Sequence, residues 1–408
     1  MQPSASATLV VMMPHALAQA VEIVTTALTV AGLGYFLAVI VATRVFLHER
    51  RKPCPQFASA VSILKSLKGL DPGMLDAFRS HCRQNYAGQF ELLFGVGSLN
   101  DPAVAAVKQL QAEFPDVPIR LIECPQSLGT NGKVSTLAQL AAHARYDFLL
   151  INDSDITVGP HYLERVMCCF ADPTPGKRGG KKTHEVGMVT ALYRGKAHGT
   201  LPSRLEALAI STQFAPGVLL SKMIEGGMHY GLGSTLAMRR DALEKIGGLL
   251  AVVDHLADDY ELGARIAHAG YRVVLSSAVV ETSVPAYKWR EFFDHQLRWL
   301  RTVRCSRPAG YAGLIFTHGF AWALINLLAS GLSPIAMWLL ALSFFLRLGQ
   351  AMTVGSAALG DHETLANLWL LPALDVIAMG LWVAGFASNT IVWRGLRFTL
   401  KDGKLAKV

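Results

Sequence analysis

Acidic pairs at the ends of apolar runs are the part of this sequence best suited to chemistry. Asp153 and Asp155 stand two apart in LLINDSD, directly after the apolar run 148–152. Carboxylates at that spacing can hold a hard divalent cation, Mg2+ or Mn2+, and leave its other positions to water or phosphate oxygens. The same DSD also suits an Asx turn capping the next segment. Asp101 follows the run 90–96 in GVGSLNDPA, and Asp258 and Asp259 open the helical pattern of HLADDYELGARIAHAG. Asn131 and Lys133, in LGTNGKVSTL, stand where a phosphate or a uracil could be met. A last stretch, YKWREFFDHQLRWLRTVR at 287–304, mixes aromatic and apolar residues with Arg290, Arg298, Arg301 and Arg304. A basic-aromatic helix of this kind lies in a membrane interface, as an anchor and nothing more in the simplest reading. In the functional reading His295, Arg298 and Trp299 face a departing diphosphate, arginine being the side chain whose planar fork fits phosphate.

The elements that must position these groups lie in the middle of the chain. Strand-like runs at 60–64, 90–96, 119–123, 148–152, 186–192, 234–238 and 272–275 alternate with helical patterns at 73–84, 103–113, 133–144, 161–170, 240–246 and 260–269. Such alternation predicts an α/β fold with a mostly parallel sheet flanked by helices. Ligands bind at the carboxyl ends of such strands, where Asp101, Asp153 and Asp155 fall. No GxGxxG follows a strand, and GKRGGKK at 176–182 lacks Walker spacing. The segment 171–185 reads as a mobile, solvated basic loop, with anionic-lipid binding as the other reading.

Composition places this domain at a membrane. Of 408 residues 51% are hydrophobic and 17% charged, with a net charge of +8. The low charge and blocks of apolar residues exclude a disordered chain, a collagen and a coiled coil, and argue against a wholly soluble protein. Residues 23–43 carry no charge and suffice to cross a bilayer of roughly 30 Å. Arg44, Arg50, Arg51 and Lys52 follow, which predicts a cytoplasmic location for what comes next and an outward N-terminus. No basic residue precedes the run, and it is too long for a signal peptide. Further apolar regions span 311 to about 353, broken at Ser330–Pro334, and 365–393, before a basic tail of Arg394, Arg397, Lys401, Lys404 and Lys407. The tail's charge argues for a cytoplasmic C-terminus and hence two C-terminal crossings, whereas three crossings would leave it outside. We therefore expect part of 311–353 to be re-entrant or interfacial. No ionisable residue is expected inside the strongest apolar spans, and no run in 53–305 is read as long enough to span. The division is a membrane anchor at 1–48, a cytoplasmic domain at 49–305 with an interfacial helix at 287–304, and a membrane region with basic tail at 306–408. Six scattered cysteines without C-x-x-C or zinc spacing read as reduced, mostly buried thiols.

Taken in order, SILKSLKGLDP (62–72), NDPA (100–103), NGK (131–133), DS (153–154), DDY (258–260) and RW (298–299) resemble the membrane-bound family 2-like glycosyltransferases with a GT-A fold. Among these the chain resembles the ceramide glucosyltransferase family, family 21, over nearly its whole length, and within it the bacterial hopanoid-biosynthesis glycosyltransferases. The resemblance implies an inverting UDP-sugar-dependent hexosyltransferase of the bacterial inner membrane, multi-pass, with a cytoplasmic catalytic domain and no nucleic-acid partner. The implied donor is UDP-GlcNAc and the implied acceptor a hydroxyl of a hopanoid such as bacteriohopanetetrol. Ceramide with UDP-glucose is the alternative, and a non-catalytic membrane scaffold the reading from another class. In the roles so implied, Asp259 is the base, with Asp258 as a capping or orienting neighbour. His295, Arg298 and Trp299 attend the leaving UDP. Lys65, Asp101, Asn131, Lys133 and Asp153 bind the nucleotide sugar, and Asp153 and Asp155 hold the metal. The chain departs from the family motif at His295, where glutamine or arginine is usual, and at Asp155, a second carboxylate that the ceramide enzymes do not all carry.

Overall fold

The strands of the middle region are apolar on both faces, as a sheet covered on both sides requires. The computed structural model describes residues 15–171, 185–393, 396–401 and 403–407, so the basic segment 176–182 lies outside the described residues. Seven strands, β1 (Val61–Leu67), β2 (Phe90–Val96), β3 (Ile119–Glu123), β4 (Phe148–Ile151), β5 (Val186–Ala197), β6 (Leu236–Arg239) and β7 (Arg272–Val284), form one sheet in the order β3-β2-β1-β4-β6-β5-β7. β1 to β4 are parallel, β5 is parallel to β7, and β6 runs antiparallel to both its neighbours. Each run read as a strand is one. β5 and β7 continue beyond their expected ends, paired past a register shift between Thr190 and Leu192. Helices α1 (His15–Arg50), α2 (Met74–Cys82), α3 (Ala103–Glu113), α4 (Gly132–Ala141) and α5 (Tyr162–Met167) precede α6 (Leu201–Ala209) and α7 (Ala215–Glu225), which a π-helical turn, Ile210–Phe214, joins. α8 (Arg240–Lys245) and α9 (Asp258–His268) complete the middle region.

α1 has 36 residues. At 1.5 Å per residue it is about 54 Å long, far more than a roughly 30 Å hydrocarbon layer needs. The excess enters the sheet domain, where Val39, Ala42 and Phe46 share a core with Leu64, Leu93 and Ile151. The stretch 201–225 is a further helix long and apolar enough to cross a membrane, which corrects the reading that 53–305 has none. More than half of its most apolar stretch is buried in protein, with Ala215, Val218 and Leu219 in the same core as α1.

The C-terminal region comprises α10 (Trp289–Ser306), α11 (Pro308–Gly313), α12 (Gly319–Ala329), α13 (Pro334–Ala351), α14 (His362–Ala366), α15 (Leu371–Gly385) and a small antiparallel sheet of β8 (Thr390–Trp393), β9 (Leu396–Lys401) and β10 (Lys404–Lys407). α11 and α12 form a pair bent by 56°. α12 meets α1 backbone to backbone at Gly32 and Gly319, where a Cβ on Gly32 would stand 2.2 Å from the Gly319 Cα. Small residues at such crossings let membrane helices approach closely.

α15 lies along α10. Leu371 and Leu374 pack with Phe292 near one end, and Arg304 donates to the carbonyls of Phe386 and Ser388 at the other. The bent α11–α12 pair, a broken span or a re-entrant loop by its shape, falls largely in the region 311–353 where a re-entrant or interfacial part is expected. The tail is not a loose basic segment. Ile391, Phe398, Leu400 and Leu405 bury Leu256, and Leu405 N donates to Asp254 O at 2.9 Å. The C-terminus thus sits on the sheet domain.

Two expectations need correction. Arg347 of α13 and Asp375 of α15 form a buried two-oxygen ion pair at 2.9 Å, within helices apolar enough to span. Gln350 and Thr212 supply further partners, as a charge removed from water demands. And Cys54 and Cys168 are joined as a disulfide, with Cα atoms 5.8 Å apart, although their 114-residue separation gave no sign of pairing.

Candidate functional site

The carboxyl end of β4 is fixed before it delivers Asp153. Asn152 is buried and donates to Ser234 O at 2.6 Å and Tyr162 Oη at 2.9 Å. Beneath the turn, the ammonium of Lys65, wholly buried on β1, donates to Asp153 O at 3.0 Å. Burial pulls the Lys65 pKa down to about 7 against the pull of Asp155 and Asp153. Lys65 thus supports the turn from below and is not open to a ligand.

Above the turn, one ammonium gathers the acids. Lys133 Nζ lies 2.7 Å from Asp153 Oδ1 and 3.5 Å from Asp258 Oδ2. Asn131 caps α4, accepting from the amides of Lys133 and Val134, and donates to His255 O at 2.8 Å. It is fully buried, so it orients Lys133 and does not itself face a ligand. α9 begins at Asp258 with Ala257 as its N-cap, so Asp258 is not a cap; its carboxylate faces Asn131 and Lys133. Asp259 accepts from Tyr260 N through Oδ1. A Cβ built on Gly233 would lie 3.2 Å from Asp259 Oδ2 and 3.7 Å from Asp153 Oδ2. The two carboxylates therefore border the same small space, which glycine keeps clear.

The electrostatics follow from this crowding. Burial, then the neighbouring Asp258, pushes the Asp259 carboxyl up to about 6. Burial, then Asp153, pushes Asp155 up to about 6. Burial alone would lower the Lys133 pKa, yet Asp153 and Asp258 together hold it above its ordinary value. Gly233→Val is expected to fill the space between the two acids, cutting affinity for the sugar nucleotide that the sequence resemblance implies by roughly tenfold or more, since a side chain there clashes with any bound group. Calorimetric titration with that nucleotide checks this, and an unchanged affinity would place the ligand elsewhere.

The remaining expected residues are distributed around this centre. Asp155 is two residues on, its Oδ2 accepting from Thr282 Oγ1 at 2.5 Å and Ser283 N at 3.1 Å on β7. Asp101 stands on the same sheet edge, after β2. It is not joined to the cluster, because its oxygens accept from Gly69 N and Ala103 N. Gly69 has φ +72°, so this acid braces a left-handed turn that follows β1. α10 closes the other side. Trp299 and Phe214 rings are 6.2 Å apart, Phe214 and Tyr193 5.0 Å, and His295 and Trp299 5.1 Å. Tyr193 is half-buried and within electrostatic reach of Asp259, Asp153, Glu206 and Asp155, and desolvation first, then these acids, raise its pKa well above normal. Tyr287 lies within reach of Glu206, Arg298 and Asp155. The arginine motif and the acids thus border common tyrosines.

Three participants escaped the sequence reading. Asp71, which accepts from Ser154 Oγ at 2.5 Å, lay unremarked inside the LDP of 70–72. Glu206 sits in a helix that was not anticipated. Gly233 had no signal beyond standing before a strand. Among the described residues no three His, Cys, Asp or Glu side chains are grouped to hold a metal ion by themselves. The donors do fit a cation that takes most of its ligands from elsewhere. Asp153 turns a hard oxygen to the space at Gly233, with Asp155 two residues on, and Mg2+ or Mn2+ binds through one or two carboxylates plus substrate phosphates.

This mostly parallel sheet, with acids at its carboxyl edge, has the GT-A glycosyltransferase fold. A solved mannosyltransferase from Pyrobaculum calidifontis, in complex with GDP-Man and Mn2+, superimposes with a TM-score of 0.53 at 19% identity, covering 90% of this chain and 98% of that one. The model of Glycosyl transferase family 21 matches residues 24–406, and the chain belongs to that family. Ceramide glucosyltransferase 3 of Caenorhabditis elegans is 24% identical over 403 residues, covering 93% of this chain and 82% of the relative. A ceramide glucosyltransferase of Komagataella phaffii is 31% identical over 147 residues, 33% of this chain and 29% of that protein.

Proposed function

We propose that this family 21 glycosyltransferase moves a hexose from a UDP-sugar to a hydroxyl of a membrane lipid, with inversion at the sugar carbon. The observation that carries this reading is the meeting of Asp259 and Asp153 at Gly233, with Lys133 bridging Asp153 to Asp258. An acceptor hydroxyl attacking the sugar must lose a proton while negative charge grows on the departing diphosphate. Asp259 is the base; its raised pKa matches it to taking a proton and releasing it again. Arg298, supported by Trp299, with His295 as a further donor, meets the diphosphate from α10. Lys133 and Asp153 belong to the donor side, with Asn131, Lys65 and Asp101 holding the loops that carry them. Asp153, with Asp155 two residues on, would hold Mg2+ or Mn2+, which when bound supplies Lewis-acid stabilisation to the leaving group.

The acceptor is a lipid because the site adjoins the apolar helices. α1, the bent α11–α12 pair and α13 are the crossing helices in this reading, with α10 and α15 at the inner surface of a bacterial cytoplasmic membrane. The tail packed on the sheet domain agrees with an even number of C-terminal crossings. The names of the relatives favour glucose and a ceramide-type acceptor. The sequence resemblance favours N-acetylglucosamine and a hopanoid polyol.

Mass spectrometry of lipids formed from a panel of UDP-sugars with ceramide and hopanoid acceptors decides between these pairs. No glycolipid from any pair, with no binding of UDP in the presence of Mn2+, would leave only a scaffold. Arg298→Lys is expected to lower kcat by about tenfold or more, since a lysine cannot offer the bidentate fork. Steady-state kinetics test this, and a rate near wild type would remove Arg298 from the diphosphate.

A further inference from the structure

One buried carboxylate beside the site has no part in the roles above. Glu206, on α6, is 3% exposed. Its Oε2 accepts from His295 Nδ1 at 3.0 Å and from Gln296 Nε2 at 3.1 Å, both on α10. The His295 ring is also fixed in its plane, between Tyr287 at 5.5 Å and Trp299 at 5.1 Å.

We propose that Glu206 is a positioning residue that acts through His295, fixing which ring nitrogen the site receives. This rests on the reading of α10 as the element that faces the diphosphate. An ionised carboxylate only accepts hydrogen bonds, so the proton at this contact sits on Nδ1. This leaves Nε2 as the ring nitrogen for the ligand in the reading of α10 given above. A buried carboxylate at 3.0 Å is the partner that fixes the orientation and tautomer of this ring. A glutamine or arginine at this position donates without such a partner. The histidine in this chain therefore comes with a second residue, Glu206, that a different side chain at 295 would not need. Gln296 shares the same oxygen and holds the carboxylate in place from the next residue of α10.

The test is a double-mutant cycle on the full-length protein in detergent or nanodiscs, reading kcat and KM for the UDP-sugar donor. Glu206→Gln keeps the volume and removes the charge. It is expected to lower kcat by roughly 10–100-fold, the usual cost of removing a carboxylate behind a functional histidine, with little change in the melting temperature. His295→Gln supplies a donor that needs no anionic partner. In that background Glu206→Gln should cost less than about threefold, because residues acting as one unit are non-additive. Equal losses from Glu206→Gln in both backgrounds would mean a purely structural carboxylate and overturn the proposal, as would wild-type kcat in Glu206→Gln itself. Should Glu206→Gln not fold, Glu206→Asp is used in the same cycle with the same criterion. Wild-type protein that neither binds UDP nor turns over would instead overturn the function proposed above.

Discussion

Asp259→Asn is expected to lower kcat by about 10²–10⁴-fold, the range lost with a positioned base. The substitution keeps the shape of the side chain and its acceptor oxygen toward Tyr260 N, so the start of α9 should survive. It removes the one property the reaction asks of this position, a proton-accepting oxygen at the space bordered by Gly233. UDP-sugar affinity, measured by titration without acceptor, should stay within about threefold, because binding energy shared equally by ground and transition states is not what a base supplies. Asp258→Asn offers the contrast. Asp258 faces Asn131 and Lys133 and lies on the far side of the ammonium from Asp153. Its loss should show in KM and in stability more than in kcat. If Asp258→Asn abolished turnover and Asp259→Asn did not, the base would be the first acid of the pair.

The sheet and the acidic edge were legible in sequence because continuous apolar runs bounded by polar turns leave few alternatives to buried parallel strands. A strand's carboxyl end then dictates where its next residues stand. Asp153 stands at that edge for this reason, whereas Asp258 and Asp259, more than 100 residues further on, reach it from the start of α9. Other features left no local trace. The α6–α7 stretch scatters Arg204, Glu206, Gln213 and Lys222 among apolar residues, and Glu206 inside it reads as an ordinary surface charge until its partners on α10 are known. Arg347 and Asp375 each stand alone in an apolar segment, and only the packing of α13 against α15 pairs them. Asp101 illustrates the opposite error. Its place after β2 was read correctly, yet two backbone amides already claim its carboxylate, a fact that depends on the left-handed turn at Gly69. Spacing reports which edge a side chain occupies, and hydrogen bonds decide whether it is available there.

Lys133→Met is expected to destabilise the protein more than any other single change at the site. Lys133 is the cation lying between Asp153 and Asp258, and Asp259 is close enough to act on its charge. A methionine fills the same volume and leaves three carboxylates facing one another without it. Removing one partner of a fully buried pair costs about 3–5 kcal/mol. Asp153 is 41% exposed and partly screened by water, so a loss of about 2–4 kcal/mol is the better expectation here. The pH dependence gives this a sign. A carboxyl pushed up to about 6 in the folded protein, as Asp259 and Asp155 are, binds its proton more tightly there than in the unfolded chain, whose carboxyls titrate near about 4. Stability from these groups is therefore present at low pH and is lost as pH rises through about 6. Without Lys133, Asp259 and Asp258 lose the cation that holds them down and are pushed higher still, so the deficit of the variant should be greatest near pH 8 and should narrow as the pH falls below 6. Rates of thermal inactivation in detergent, compared for wild type and Lys133→Met across that range, measure the difference where unfolding is irreversible. A deficit that is independent of pH would show that Lys133 contributes packing rather than charge, and the acids would then have to be neutral already in the wild-type protein.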